Sequence, residues 1–191
     1  VSHEYLIEQV QFTGSETVTA GGASSATTKV NLHFNHPVKE LVWVYNALST
    51  GATTSGSSVT AAKLQLNGHD RFKEETGDYF MHVQRFQHHT GVGGLLSGHK
   101  SLPSCVQLQV AGGHGDTDLS ESINSGVYCY SFGLRPEEHQ PSGTCNFSRI
   151  DNAQLNLTFT GTTTTGKVHV FATSYNVLRI MSGMGGLAYS N

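Results

Sequence analysis

Along most of this chain apolar residues recur at every second position, in short runs separated by stretches rich in glycine, serine and threonine. Val30, Leu32 and Phe34 alternate with Lys29, Asn31, His33 and Asn35, which puts one face of a strand on a core and the other in water. Leu64 and Leu66 alternate with Lys63, Gln65 and Asn67 in the same way. The pattern returns at 127–132, 155–159 and 168–171, is extended at 177–180, and is present near the start at 5–12. Leu41-Val-Trp-Val-Tyr45 is denser and reads as a strand covered on both faces. A period of two cannot line one side of a helix, so the chain is committed to sheets.

The intervening segments 21–25, 49–58, 91–94, 111–115 and 161–166 carry the residues that reversals need. The last is predicted to be a hairpin loop. The 49–58 stretch has a linker's composition, but strands on both sides make it an excursion loop. One helix is predicted over 78–88, with Asp78 as its N-cap and Tyr79, Phe80, Val83 and Phe86 near helical spacing. The fold class is therefore all-β: an antiparallel sandwich of about eight short strands, jelly-roll or immunoglobulin-like, with long loops and at most one or two short helices. Pattern alone leaves an immunoglobulin-like sandwich open. No internal repeat divides the 191 residues, and a single domain over 1–191 is expected.

Only 13% of the residues are charged and the formal net charge is −3, without a basic face that could displace phosphate counterions. Direct nucleic-acid binding is not expected. Low charge and 22 glycines leave neutral surface suited to contact with other copies of the chain. Cys105, Cys129 and Cys145 are odd in number and lack metal-type spacing, which fits a reducing compartment better than a disulfide framework. No apolar run approaches bilayer length and no signal-peptide pattern opens the chain. The start at Val1 rather than Met reads as a fragment or a processed form.

Eleven histidines raise the question of a metal enzyme. His-x-His is absent, but His114-Gly-Asp116 followed by His169 supplies the two imidazoles and carboxylate of a facial iron triad, and Arg179 lies ten positions beyond His169. In iron oxygenases that use a 2-oxoacid, an Arg at about that remove binds the cosubstrate. Against this, His114 lies between two glycines in a loop poorly suited to fixing ligands, so a surface histidine is the more economical reading. The pair His88-His89, with His82 one or two turns earlier, reads as a structural turn whose imidazoles hydrogen-bond the backbone or a neighbouring subunit. No nucleophile motif or phosphate loop is present: Gly-x-Ser-x-Gly is missing, and Gly183-Met-Gly-Gly186 lacks the following Lys. Asn146 and Asn156 head glycosylation sequons, and both are expected to be unmodified. Asn156 alternates with Leu155 and Leu157 and should face away from the core. Arg135-Pro-Glu-Glu-His139 and Arg149-Ile-Asp151 are expected to form a salt-bridged corner, with side-chain-to-backbone bonds over 146–152. A glycan-binding sandwich is a third reading, but the lone Trp43 sits inside an apolar run rather than on a face.

Three stretches carry a family resemblance. They are Leu66-Asn-Gly-His-Asp-Arg-Phe72 with Tyr79-Phe80 and Val83-Gln-Arg-Phe-Gln-His-His-Thr90; the stretch from Tyr130-Ser-Phe-Gly-Leu-Arg-Pro136 through Cys145-Asn-Phe-Ser-Arg-Ile-Asp-Asn152; and Tyr175-Asn-Val-Leu-Arg-Ile-Met-Ser-Gly-Met-Gly-Gly-Leu-Ala-Tyr-Ser-Asn191. In these the chain resembles the major capsid proteins of large icosahedral double-stranded DNA viruses, of the iridovirus and algal-virus type. The resemblance implies a jelly roll and decides between the two sandwiches. It implies no catalytic site, no metal and no cofactor. It implies a homotrimeric, pseudo-hexameric capsomer that tiles a virion shell, with minor capsid proteins beneath it and assembly in the host cytoplasm. Family members carry two successive jelly rolls, and this chain resembles the second. The loops 20–28, 49–60 and 112–125 are then the expected variable surface.

Overall fold

The computed structural model describes residues 1–18, 26–47, 59–90, 127–159 and 166–189. Two antiparallel sheets face each other. The first runs in the order β1 (Ser2–Val18), β10 (Gly166–Met181), β3 (Pro37–Ala47), β7 (Val127–Ser131). The second runs β2 (Ala26–Asn31), β9 (Ala153–Phe159), β4 (Val59–Leu66), β5 (His69–Asp70). Three short strands add to these eight: β6 (Glu75–Thr76) on β4, β8 (Cys145–Asn146) on β3, and β11 (Met184–Leu187) on β10. From β1 to β4 the chain changes sheet at each step, and β9 and β10 repeat the change. This is the winding of a jelly-roll sandwich, as expected, although the described residues hold eleven strands rather than eight.

The alternating residues meet between the sheets. Leu41, Trp43, Val168, Val170 and Ala172 from the first sheet pack on Val30, Leu64, Leu155, Leu157 and Phe159 from the second. Each fully buried aliphatic or aromatic side chain contributes roughly 1.5–3 kcal/mol. Trp43 is fully buried; its ring lies 5.2 Å from that of Phe80 and stacks on Tyr128 at 6.0 Å. Tyr128 then donates no carbon contact alone: its hydroxyl accepts the Val59 backbone N–H at 3.1 Å and ties the sheets together.

Several expectations change. The dense run 41–45 is not covered on both faces: Leu41 and Trp43 are buried, whereas Val42, Val44 and Tyr45 are only half-buried. β9 and β10, on either side of the expected hairpin loop 161–166, belong to different sheets and do not pair; residues 161–165 themselves lie outside the described residues. Thr27, Thr28, Val59 and Thr60, assigned to loops, are strand residues, and the rest of those loops lies outside the described residues. The helix is a π turn (Tyr79–Val83) running into α1 (Gln84–His88), and Asp78 makes no side-chain cap. Its buried set is Phe80, Met81, Gln84 and Arg85, an i, i+1, i+4, i+5 stripe that turns Val83 and Phe86 outward. Two real hairpins do occur, at Asn67-Gly68 and Ser182-Gly183. Both residues of each have positive φ, as a two-residue reversal that matches strand twist requires.

Replacing Trp43 by Ala is expected to cost about 3–5 kcal/mol in urea unfolding. Phe86→Ala, at a side chain 84% exposed, is expected to change stability by less than about 0.5 kcal/mol.

Candidate functional site

Strand β3 carries one residue more than its partner at its start: Glu40 pairs with Thr173 and Val38 with Ser174, so Lys39 is bulged out of the ladder. A bulge re-aims side chains, and here it turns two adjacent opposite charges into covered positions. Lys39 is 5% exposed and Glu40 7% exposed. Ions so covered are tolerated only when paired and hydrogen-bonded. The Lys39 ammonium meets the Glu8 carboxylate from β1 at 2.5 Å, donates to the Pro136 carbonyl at 2.6 Å, and lies 5.4 Å over the ring centre of Tyr175.

Glu40 meets His89, just past the end of α1, with Nε2 to Oε1 at 2.5 Å. The other ring nitrogen, Nδ1, lies 3.1 Å from a Glu137 carboxylate oxygen. Glu137 also accepts the Thr90 backbone N–H at 3.0 Å and the Thr90 hydroxyl at 2.5 Å. His88 Nδ1 contacts the Leu134 carbonyl at 3.1 Å. The thiol of Cys129 completes the group: the ligating atoms of Glu40, His89 and Cys129 all lie within 4.8 Å of one another. Cys129 faces the same side of the sheet because it pairs with Val42, two residues along from Glu40.

The sulfur of Cys129 and the Glu40 carboxylate together hold the His89 imidazolium, raising its pKa to about 10 against the opposing effect of burial. The Thr90 hydroxyl and N–H, with His89 behind them, hold Glu137 below the usual carboxylate range. At neutral pH the group is thus an imidazolium between two carboxylates. It joins the segment ending at Thr90 to the loop around Glu137, two of the stretches that carry the family resemblance. His88 meets a backbone carbonyl, as a structural turn was expected to, whereas the partners of His89 are the side chains of Glu40 and Glu137 in the same chain rather than backbone or a neighbouring subunit.

The described residues give the oxygenase constellation no support. His169 and Arg179 both lie on β10, so ten residues of extended strand hold them about 33 Å apart. His169 stacks on Phe12 at 5.8 Å, and Arg179 pairs with Glu4 at 2.8 Å. His114 and Asp116 lie outside the described residues. Of the expected salt-bridged corner only Arg135–Glu138 forms, at 3.1 Å; no ion pair joins Arg149 or Asp151 among the described residues, and Glu137 turns the other way to His89. Ser148 donates its N–H to Asn146, and Asn67 Oδ1 accepts from the N–H groups of Asp151 and Asn152. Asn146 is exposed. Asn156 faces outward between Lys29 and Lys63, as its alternation requires, yet is 8% exposed and donates to Gln65 at 2.9 Å. Cys129 and Cys145 are both free thiols. No helix among the described residues is long and apolar enough to cross a membrane.

The family model for the large eukaryotic DNA virus major capsid protein matches residues 1–93 and 119–186. The major capsid protein of Pyramimonas orientalis virus is 52% identical over 194 residues, covering 100% of this chain and 44% of the relative. That of Paramecium bursaria Chlorella virus 1 is 38% identical, covering 99% of this chain and 49% of the relative. The crystal structure of PBCV-1 VP54, fitted into a reconstruction of the virophage Sputnik, superposes with a TM-score of 0.73 at 36% identity. It covers 100% of this chain and 52% of the solved one. The chain therefore spans about half the length of the relatives it matches.

The His89 junction sets a pH signature. The His89 pKa is raised above its unfolded value, so its stabilisation is complete below about pH 6.5 and is lost as pH rises through about 10. Glu137 has the opposite sense: its contribution is present above about pH 4.5 and falls away as acid titrates it. Urea midpoints measured in EDTA should hold a plateau between about pH 4.5 and 6.5 and decline from there towards pH 10. His89→Gln should lower the plateau and flatten that alkaline decline.

Proposed function

The chain belongs to the major capsid protein family of large eukaryotic DNA viruses, and from that premise we propose that it is a shell-building jelly roll of such a virus. The observation that carries the reading is the shape of the match. Similarity runs through the whole of this chain while leaving about half of each relative unmatched. Residues 1–191 then form one jelly-roll domain, the second of two in the complete polypeptide. Its partners are other copies of itself in a homotrimeric capsomer, neighbouring capsomers, and minor capsid proteins beneath them. Its place is the virion, after assembly in the host cytoplasm, and its role is structural rather than catalytic.

The physical character of the chain supports this. A two-sheet sandwich is stiff, and its sparse charge leaves sides that can approach one another without strong repulsion. Beyond the barrel, β1 residues 2–6, β10 residues 177–181 and β11 form a three-stranded extension that carries exposed Tyr5, Met181, Met184 and Leu187. By the register Tyr5 and Leu187 lie on one face and Met181 and Met184 on the other, so each face of the extension offers apolar side chains to a neighbour.

Light scattering on the complete polypeptide is expected to give the mass of a trimer, or of a larger assembly built from trimers. A stable monomer at micromolar concentration would count against the capsomer reading.

A further inference from the structure

The Cys129 thiol, the Glu40 carboxylate and the imidazole of His89 lie together beside the β3 bulge. We propose that Glu40, His89 and Cys129 form a binding site for one zinc ion, with Glu137 orienting the histidine from behind. Three observations support it. The three donor atoms come from separate elements, β3, the end of α1 and β7, and lie within 4.8 Å of one another. Tetrahedral zinc at ordinary bond lengths holds such donors about 3.3–3.6 Å apart, so a small side-chain rotation opening the short Glu40–His89 contact makes room for the ion. The donor set is also specific. Thiolate with imidazole and carboxylate suits zinc, whereas magnesium and calcium take oxygen ligands alone.

The third observation is the arrangement around His89. Its Nε2 meets Glu40 and Nδ1 faces the carboxylate of Glu137, with the Cys129 sulfur within 4.8 Å of the ring's ligating nitrogen. A carboxylate on the far nitrogen is the arrangement that fixes tautomer and ring orientation in metal-binding histidines. Glu137 is itself held by two bonds from Thr90. Glu40 and Cys129 sit on neighbouring hydrogen-bonded strands, so two of the ligands have rigid supports. His89 is a quarter exposed on its side chain, which leaves a route for the ion and a fourth coordination position for water. Binding displaces the imidazole proton at Nε2 and the thiol proton of Cys129 to solvent. The ion then replaces an imidazolium–carboxylate pair as the connection between the bulge and the segment after α1.

The test is metal binding by the intact protein, stripped with a chelator and dialysed. Titration with zinc against a chromophoric competitor is expected to give one ion per chain. Cobalt in its place should give intense visible bands of tetrahedral geometry and a near-ultraviolet thiolate-to-cobalt band. Cys129→Ser should abolish the thiolate band, and His89→Gln should abolish stoichiometric binding. Glu137→Gln should keep the stoichiometry and weaken affinity by roughly 10–100-fold. Far-ultraviolet circular dichroism on each variant separates loss of the site from loss of the fold. Absence of stoichiometric zinc on folded wild-type protein would overturn the proposal, whatever the variants do. So would a cobalt complex without the thiolate band, or zinc binding that survives in both Cys129→Ser and His89→Gln.

Discussion

A lysine and a glutamate that follow one another on a central strand and are both nearly sealed from water impose a demand on everything around them. Each ion removed from water carries a penalty of several kcal/mol unless counter-charges and hydrogen bonds replace the solvent. The bulge at Lys39 creates that demand, and other parts of the chain meet it: Glu8 from β1, the Pro136 carbonyl from the loop after β7, and His89 from the segment after α1. The loop around Glu137 and the segment ending at Thr90 have few apolar side chains of their own to bury, so their positions follow from these polar contacts. The sandwich core supplies the driving force for folding. The buried charges decide where the peripheral segments come to rest.

The helical segment illustrates how the two influences combine. Its π turn sets Phe80 against Trp43 and also brings Gln84 to the outer edge of β7, where its side chain accepts the Ser131 N–H at 3.1 Å. A strand edge that would otherwise offer an unpaired donor is thereby closed. The same few residues deliver His88 and His89 to their partners.

Much of the sandwich was legible because alternation is a local signal. Strands at 5–12, 41–45, 127–132 and 155–159 follow directly from which positions are apolar, and Asn67-Gly68 sits where its chemistry allows a reversal. Pairing is not local, which is why 161–166 looked like a hairpin: adjacency in sequence gives no information about which layer a strand joins. The helix was found but its buried face was not: Tyr79, Phe80, Val83 and Phe86 form the more apolar arc, whereas the arc that is buried includes the polar Gln84 and Arg85. The junction at Glu40 was hidden for a different reason. Lys39 and Glu40 precede the apolar run 41–45 and belong to no motif, and nothing in their spacing relates them or Cys129 to His89, 49 residues from Glu40. A charged pair at the start of an otherwise apolar strand was the only available signal. The family resemblance marked the two motifs that meet there without saying what joins them.

The four-residue β11, with its paired glycines 185 and 186, has one further consequence. It closes one side of the lower half of β10, and its own outer edge is short, turns sharply at Ser182-Gly183 and has few side chains to hold a docking strand. Proteins that must crowd together in large numbers face two modes of polymerisation: growth through side faces, which ends in a bounded object, and growth through strand edges, which has no natural end. A brief, glycine-rich edge makes the second mode a poor template. Crowding is then channelled towards the bounded outcome, and fibre formation is discouraged at the point where the sheet is most exposed.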